Sequence, residues 1–346
     1  MKIGILTFHW ATNYGAVLQA FALQKVLHQF GHSVTIINYK PSRQDNSIWS
    51  FIRKRHFLKP ILFLNNLLKE KKIDRFRSEN LNLSVRYKRQ CEVAMYIENL
   101  DVVICGSDQI WNPSFLRSGE GKTTTTYFLD FTTEIKKISY AASFGCTTYP
   151  IKYKSLIQSL LGKFNHISVR EQTGKEIIDE IGLSSVVVPD PTFLLTAYDY
   201  DKYISSNETT DITPYTFVYM LRGEKCSKHI KYLKTRYRIV ESINEGIEQW
   251  VTNIKNATYV VTNSFHCMVF CLLYHTPFSI VLKNTELVGM NDRFYTILNK
   301  CQLSERIISD KSNVAKIIDK EIDWSTVDRV LGEYRKVGVD FLLSNI

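Results

Sequence analysis

The first forty residues already exclude most folds. Lys2-Ile3-Gly4-Ile5-Leu6-Thr7 is a continuous apolar run, the pattern of a strand buried on both faces as parallel strands are. A loop from Phe8 to Gly15 follows, then a helix from Ala16 to Phe30 with Ala16, Ala20, Leu23 and Leu27 at helical spacing, ended by Gly31. Val34-Thr35-Ile36-Ile37 is the next strand. Strand, helix and strand at the start of a chain open a doubly wound α/β sheet.

Further strands are read at Val102–Cys105, Ile138–Ala141, Ile167–Val169 and Val186–Val188, with helical patterns between several of them. The polar stretch Ser205 to Thr213 reads as a linker. A second alternating series begins beyond it, with strands at Thr216–Leu221, Tyr237–Val240, Tyr259–Val261 and Phe278–Leu282. Helices are expected at Glu245–Asn256 and Phe265–Tyr274, and the amphipathic segment Trp324–Leu343 is expected to be a C-terminal helix. The chain has 346 residues, too many for one ordinary core. The expected architecture is therefore α/β, two Rossmann-like domains facing across a cleft. Residues 1–204 form the N-terminal domain and 214–322 the C-terminal one, with 323–346 packing back across both.

Composition narrows the function classes. An apolar fraction of 45% and a charged fraction of 23% belong to a soluble globular protein, and no apolar run is long enough to span a bilayer. Met1-Lys2 is followed by only a short apolar run without a small-residue cleavage site, so no signal peptide is read and a cytoplasmic location is expected. Seven cysteines without a CxxC fit that compartment. Cys267 and Cys271 stand four apart on a helix, but lacking a second ligand pair they read as buried small hydrophobes, and no metal is expected. The net charge of +10 points to an anionic partner, yet no nucleic-acid motif is present and none is expected to bind. Much of the excess lies between Arg53 and Arg77, interleaved with Phe57, Leu62, Leu64, Leu67 and Leu68. That segment suits either an anionic membrane surface or a solvated helix along one edge of the domain.

In open α/β sheets ligands bind beyond the carboxyl ends of the strands, so the residues there are the site candidates. After the first strand, Asn13-Tyr14-Gly15 opens a helix and offers backbone N–H groups to a phosphate or carboxylate, or forms a tight turn. After Val102–Cys105 comes Gly106-Ser107-Asp108-Gln109-Ile110-Trp111-Asn112, where Asp108 is a base, a metal ligand or a helix cap. Ser143 and Arg170 end the next strands. Arg170 either grips an anion bidentately or pairs with Glu171 or a domain interface. Asp190 precedes Pro191 and reads as a turn former. In the second half, Thr262-Asn263-Ser264 caps a helix whose first turn holds Phe265 and His266. A histidine there, where the helix dipole disfavours added positive charge, is placed for general acid/base work, or is a structural histidine. His9, His28, His32 and His275 have less promising contexts.

Taken in order, Asn13-Tyr14-Gly15-Ala16-Val17-Leu18-Gln19-Ala20, Gly106 to Asn112, Ser143-Phe144-Gly145, Ser168-Val169-Arg170-Glu171, Asp190-Pro191-Thr192 and Ser264-Phe265-His266 resemble the polysaccharide pyruvyl transferase family over nearly the whole chain. The resemblance implies a GT-B-like fold and transfer of pyruvate from phosphoenolpyruvate to a sugar diol as a cyclic ketal. The acceptor would be a polysaccharide precursor, lipid-linked if the basic segment meets a membrane. That chemistry requires no redox cofactor. It gives His266 the proton transfer, Arg170 the donor's phosphate or carboxylate, and Asp108 the acceptor hydroxyl. Asn13, Tyr14, Gly15, Ser107, Gln109, Trp111, Asn112, Ser143, Ser264 and Phe265 would line the pocket. Many members have Arg-Leu-His where this chain has Ser264-Phe265-His266, so Arg170, Arg222 or Arg293 is left to supply the donor's counter-charge. The rival reading is a GT-B nucleotide-sugar glycosyltransferase, which shares the architecture. A non-catalytic sugar- or membrane-binding protein would lack the polar residues that crowd these strand ends.

Overall fold

The computed structural model describes residues 1–40, 60–114, 116, 125–131, 134–204, 213–221, 227–282, 291–308 and 312–346, the side chains of 60–63 and 227 excepted. Arg222, the Arg53 to Lys59 part of the basic segment and most of the expected linker lie outside them. The chain divides into two compact units, one of Met1–Leu194 with Val337–Ile346, the other of Leu195–Lys336.

The first unit is built on a parallel sheet of four strands, β1 (Lys2–Leu6), β2 (Ser33–Ile36), β3 (Val102–Cys105) and β4 (Lys136–Ser139), in the order β2-β1-β3-β4. Two short parallel strands, β5 (Ser168–Val169) and β6 (Val186–Val187), continue it through single bridges from Ile138 to His166 and from Ala142 to Val169. Chain order runs outward in both directions from β1, so the sheet reverses between β1 and β3. The apolar runs seen in sequence are these strands, and β1 and β3 are buried along almost their whole length because helices cover both faces.

Helix α1 (Tyr14–Gln29) fills the space after β1 and is buried on nearly every side. Asn13 starts it: the side chain accepts from Gly15 N at 2.9 Å and Ala16 N at 3.4 Å. It ends where Gly31 N donates to His28 O (2.9 Å) and His32 N to Leu27 O (3.1 Å). Helix α2 (Pro60–Asn80) lies beside it, with Phe76 against Phe21 at 5.5 Å between ring centroids. The unit is completed by α3 (Gln90–Ile97), α4 (Ile151–Leu161) and α5 (Gln172–Glu180).

The second unit repeats the plan. Its parallel sheet is β7 (Tyr215–Tyr219), β8 (Arg238–Glu241), β9 (Tyr259–Thr262), β10 (Phe278–Val281) and β11 (Ile307–Ile308), ordered β11-β10-β9-β7-β8. Here the reversal falls between β7 and β9. Helices α6 (Ala197–Tyr203), α7 (Ser227–Lys234), α8 (Ile247–Lys255), α9 (Phe265–Leu273), α10 (Asp292–Lys300) and α11 (Val314–Ile318) surround it. Every residue of α9 is buried, and Cys267 and Cys271 are fully enclosed in it. Trp250 and Phe270 lie edge to face at 5.5 Å, and Tyr200 of α6 meets Phe270 at 4.7 Å. This contact explains why the division follows Leu194, whereas the polar stretch at Ser205 suggested a later boundary. The final helix, α12 (Trp324–Asn345), contributes residues to both units.

Candidate active site

The switch-point rule for open α/β sheets places a ligand crevice where strand order reverses. In the first unit this singles out the loops after β1 and β3, and in the second the loops after β7 and β9.

In the first unit the two loops are bound by a chain of buried side chains. Gln19 Nε2 donates to Thr7 Oγ1 (2.9 Å), Thr7 Oγ1 donates to Ser107 O (3.1 Å), and Ser107 N donates to Gln19 Oε1 (3.2 Å). Ser107 Oγ then donates to Asp190 Oδ2 at 3.0 Å. The same carboxylate oxygen is 2.9 Å from Arg170 Nη1, while Oδ1 accepts from Thr192 N (3.0 Å) and Thr192 Oγ1 (2.7 Å). Arg170 Nε lies 3.5 Å from Glu171 Oε2, and Glu171 Oε1 accepts from Ser143 Oγ (2.6 Å) and Phe144 N (3.2 Å). Loops after β1, β3, β4, β5 and β6 are thus held by one continuous polar network.

The Arg170 side chain is 1% exposed and faces two carboxylates with almost no access to water. Burial opposes its charge, but Asp190, Glu171 and Asp108 more than offset that, and the guanidinium holds its proton more tightly than usual. An incoming anion would have to compete with Asp190 and Glu171 for it. Of the two sequence readings, anion grip and internal ion pair, this geometry embodies the second. Asp190, read as a turn former, is also the hub of the network.

What remains open to solvent is set by that scaffold. Asn13, Asp108, Gln109 and Asn112 are half-buried. Asp108 sits at φ 67° and its own Oδ1 accepts from Gln109 N at 2.8 Å, so the carboxylate caps the turn. Gly106, at φ 125° and joined to Ser107 by a cis peptide, lies against the Tyr140 carbonyl where no Cβ fits. Gly145, at φ 62°, would place a Cβ 2.7 Å from Gln109 Cδ and 2.8 Å from Asn112 Nδ2. Both glycines therefore let neighbouring loops close on the Asp108 turn.

Seven of the residues expected to line a pocket are buried, five of them in the first unit. Trp111 is wholly buried, among Phe128, Phe144 and Phe164 at 5.3–5.9 Å, with Nε1 donating to Tyr127 O at 3.1 Å. It is a core anchor because an indole gains more from burial than from facing water. Tyr14 is also buried, with Lys69 Nζ 3.9 Å from its ring centroid, as is the backbone of Gly15. Ser107 and Ser143 act through the network rather than outward.

Sequence reasoning ranked His9 low, yet it helps shape this loop. Its Nδ1 is 3.1 Å from Thr7 O, its Nε2 3.1 Å from Asn38 Oδ1, and burial drives its pKa down to about 4 despite those bonds, with Arg77 and Lys40 adding to the effect. Arg77 of α2 donates to His9 O (2.9 Å) and Ala11 O (2.6 Å), gripping the loop that leads to Asn13.

In the second unit, Thr262 Oγ1 donates to Tyr219 O (2.7 Å) and accepts from Ser264 N (3.0 Å). Asn263 Oδ1 accepts from Leu221 N at 2.8 Å, tying the loops after β7 and β9 across the switch point. Ser264 caps α9 by accepting from Cys267 N (3.3 Å). His266 is 6% exposed in the first turn, its ring 5.3 Å from that of Phe265. The guanidinium of Arg293, from the first turn of α10, lies 5.3 Å from the centroid of the Phe265 ring. Of the three arginines considered as counter-charge, Arg293 is the described one that stands beside Phe265.

The family model for polysaccharide pyruvyl transferases matches residues 13–282, from the start of α1 through the loops after β3, β7 and β9. The chain belongs to the polysaccharide pyruvyl transferase family. It is accordingly a transferase of polysaccharide biosynthesis, and its acceptor is a polysaccharide. A comparison with curated proteins returned no match. Among solved structures the chain is similar to a putative UDP-N-acetylglucosamine 2-epimerase from Listeria monocytogenes (12% identity, 99% of this chain and 94% of that one, TM-score 0.53). It is also similar to the UDP-N-acetylglucosamine 2-epimerase of Rickettsia bellii (10%, 99% and 96%, 0.51) and to UGT89C1 of Arabidopsis thaliana (9%, 99% and 98%, 0.50). At such identities the likeness is one of fold, and the fold is GT-B-like.

Proposed function

We propose that this pyruvyl transferase moves pyruvate from phosphoenolpyruvate to two hydroxyls of a lipid-linked saccharide, forming a cyclic ketal and releasing phosphate. The observation that carries the reading is that His266 in the first turn of α9 and Arg293 in the first turn of α10 each lie against the Phe265 ring, after the switch-point strand β9. They supply the proton and the cation that an enol phosphate needs.

His266 gives a proton to the methylene carbon, and oxocarbenium character develops at the central carbon. One sugar hydroxyl adds there and loses its proton to a base. The C–O bond to phosphate breaks, and the second hydroxyl closes the ring as its proton leaves with phosphate or solvent. Of the two protons lost by the diol, one balances that taken up by the methylene carbon. Arg293 holds the donor's carboxylate or phosphate against the start of α9, where the helix dipole favours anions. Within the first unit, Asp108 offers a carboxylate to a sugar hydroxyl, and Asn13, Gln109 and Asn112 offer polar groups to the sugar. Arg170 is given a positioning role, keeping Ser107 and hence Asp108 in place through Asp190.

The test is thermal stabilisation by phosphoenolpyruvate beside a panel of nucleotide sugars, since a ligand of the folded state raises Tm according to its affinity. The expected result is a shift with phosphoenolpyruvate that Arg293→Gln abolishes. A shift with one nucleotide sugar and none with phosphoenolpyruvate would replace this reading with glycosyl transfer.

A further inference from the structure

Helix α2 has two unlike faces. Ile73, Phe76 and Arg77 point inward, onto Phe21 and the loop after β1. At ~100° per residue, Leu64, Leu67, Leu68, Lys71 and Arg75 fall together on the opposite face, with Lys72 at its margin. Leu64 is 55% exposed, Leu67 42% and Leu68 41%. Three neighbouring leucines on the outer face of a helix are not needed by any core among the described residues, and they form one patch rather than scattered exposures.

The charges beside them complete the pattern. Glu70 and Asp74 pair with Arg77, and Glu79 pairs with Arg75 at 2.9 Å, so the acidic groups of the helix are matched within it. Lys71 and Lys72 are exposed one turn beyond the leucines and make no ion pair among the described residues. Apolar side chains flanked by unmatched lysines are the arrangement of a helix that lies in a bilayer interface, leucines below the headgroups and ammonium groups among anionic phosphates. Among the described residues no helix is long and apolar enough to cross a membrane, so any attachment through α2 is peripheral.

We propose that the outer face of α2 docks on an anionic lipid bilayer through Leu64, Leu67 and Leu68, with Lys71 and Lys72 at the headgroups. The inner face of the same helix grips the His9–Ala11 backbone through Arg77, so docking holds the Asn13 loop close to the membrane plane. A lipid-linked acceptor is then met at the surface where it resides. That last link rests on the pyruvyl-transfer reading, whereas the docking does not.

The test is flotation of the full-length protein with vesicles of phosphatidylcholine alone and of phosphatidylcholine with phosphatidylglycerol, at moderate salt and without donor or acceptor. Binding is expected only to the anionic vesicles, falling at least tenfold in Leu67→Gln/Leu68→Gln. Lys71→Gln/Lys72→Gln should fall by a smaller factor, and an unchanged Tm shows that each variant is folded. No binding by the wild type, or binding that the leucine changes leave intact, overturns the proposal. So does a concentration-dependent dimer that the leucine changes dissociate, which would assign the face to a second copy of the chain. Because the assay contains no phosphoenolpyruvate, its failure leaves the donor reading standing, and the reverse also holds.

Discussion

The two switch points are built on the same topology and held in opposite ways. In the first unit, charged side chains cross between five loops and are sealed from water, with Arg170 between Asp190 and Glu171. In the second, two loops are tied by uncharged bonds from Thr262 and Asn263 to the backbone at and after the end of β7 and by the Ser264 cap, and the cation beside them rests on an aromatic ring. A buried charged network is intolerant of loss, because removing one member strands another without water. Uncharged bonds of this kind cost little each when one is lost. On the function proposed above, the first site supplies rigidity and the second the proton and anion chemistry.

The largest expected effect separates those roles by activity. His266→Gln should lower kcat/KM by about a hundredfold to ten-thousandfold, as loss of a positioned acid does, with only a small change in Tm. Turnover at the wild-type rate with an unchanged pH profile would remove His266 from the chemistry. Next comes stability. Arg170→Met or Asp190→Leu alone should cost about 3–5 kcal/mol by leaving the partner's charge buried, while the double variant costs less than the sum. Urea unfolding measures this. If Arg170→Met unfolds like wild type but loses stabilisation by phosphoenolpyruvate, Arg170 holds the donor and the contrast collapses.

Smaller, and confined to the first unit, is a pH effect. His9 has an ordinary pKa of 6.5 unfolded and about 4 in the folded protein. Between those values the unfolded chain binds more protons, so falling pH favours unfolding. The His9 contribution is complete above about pH 6.5 and is lost progressively toward pH 4, by about 3 kcal/mol at most. His9→Asn should flatten the fall in unfolding free energy between about pH 7 and about pH 5. An equally steep fall in the variant would place the acid sensitivity elsewhere.

Much of this architecture was legible in the residues because parallel strands buried on both faces leave continuous apolar runs. β1, β3 and β9 were each read within a residue or two of their ends. Strand β11, only Ile307–Ile308, is too short to leave a pattern. The strand-end residues were legible by type but not by direction. Trp111 sits in a polar motif, and only the arrival of Tyr127 and Phe128 from a distant segment shows that its ring turns inward. Arg170 and Asp190 are twenty residues apart, and nothing local announces their pairing. Arg77 read as one more charge in a basic run, because its partners are backbone carbonyls of a loop far away in sequence.

The smallest effect tests how far the two sites differ in their helix starts. Asn13 and Ser264 cap α1 and α9, and either change to alanine should cost about 1 kcal/mol from the lost cap alone. Yet the loop before Asn13 is also held by Arg77 and by the Thr7–Ser107–Gln19 bonds, so α1 should keep its register in Asn13→Ala. The loop before α9 is tied to the backbone at and after the end of β7 by Thr262 and Asn263, but the helix's first turn takes its side-chain cap from Ser264. Ser264→Ala should therefore loosen the first turn that carries Phe265 and His266. Amide exchange one step further along reads the difference: Val17, whose N–H donates to Asn13 O, should stay protected in Asn13→Ala, while Met268, whose N–H donates to Ser264 O, exchanges faster in Ser264→Ala. Equal loosening of both helices would mean that the buried network does not rigidify its loops, and the division of labour between the units would lose its physical basis.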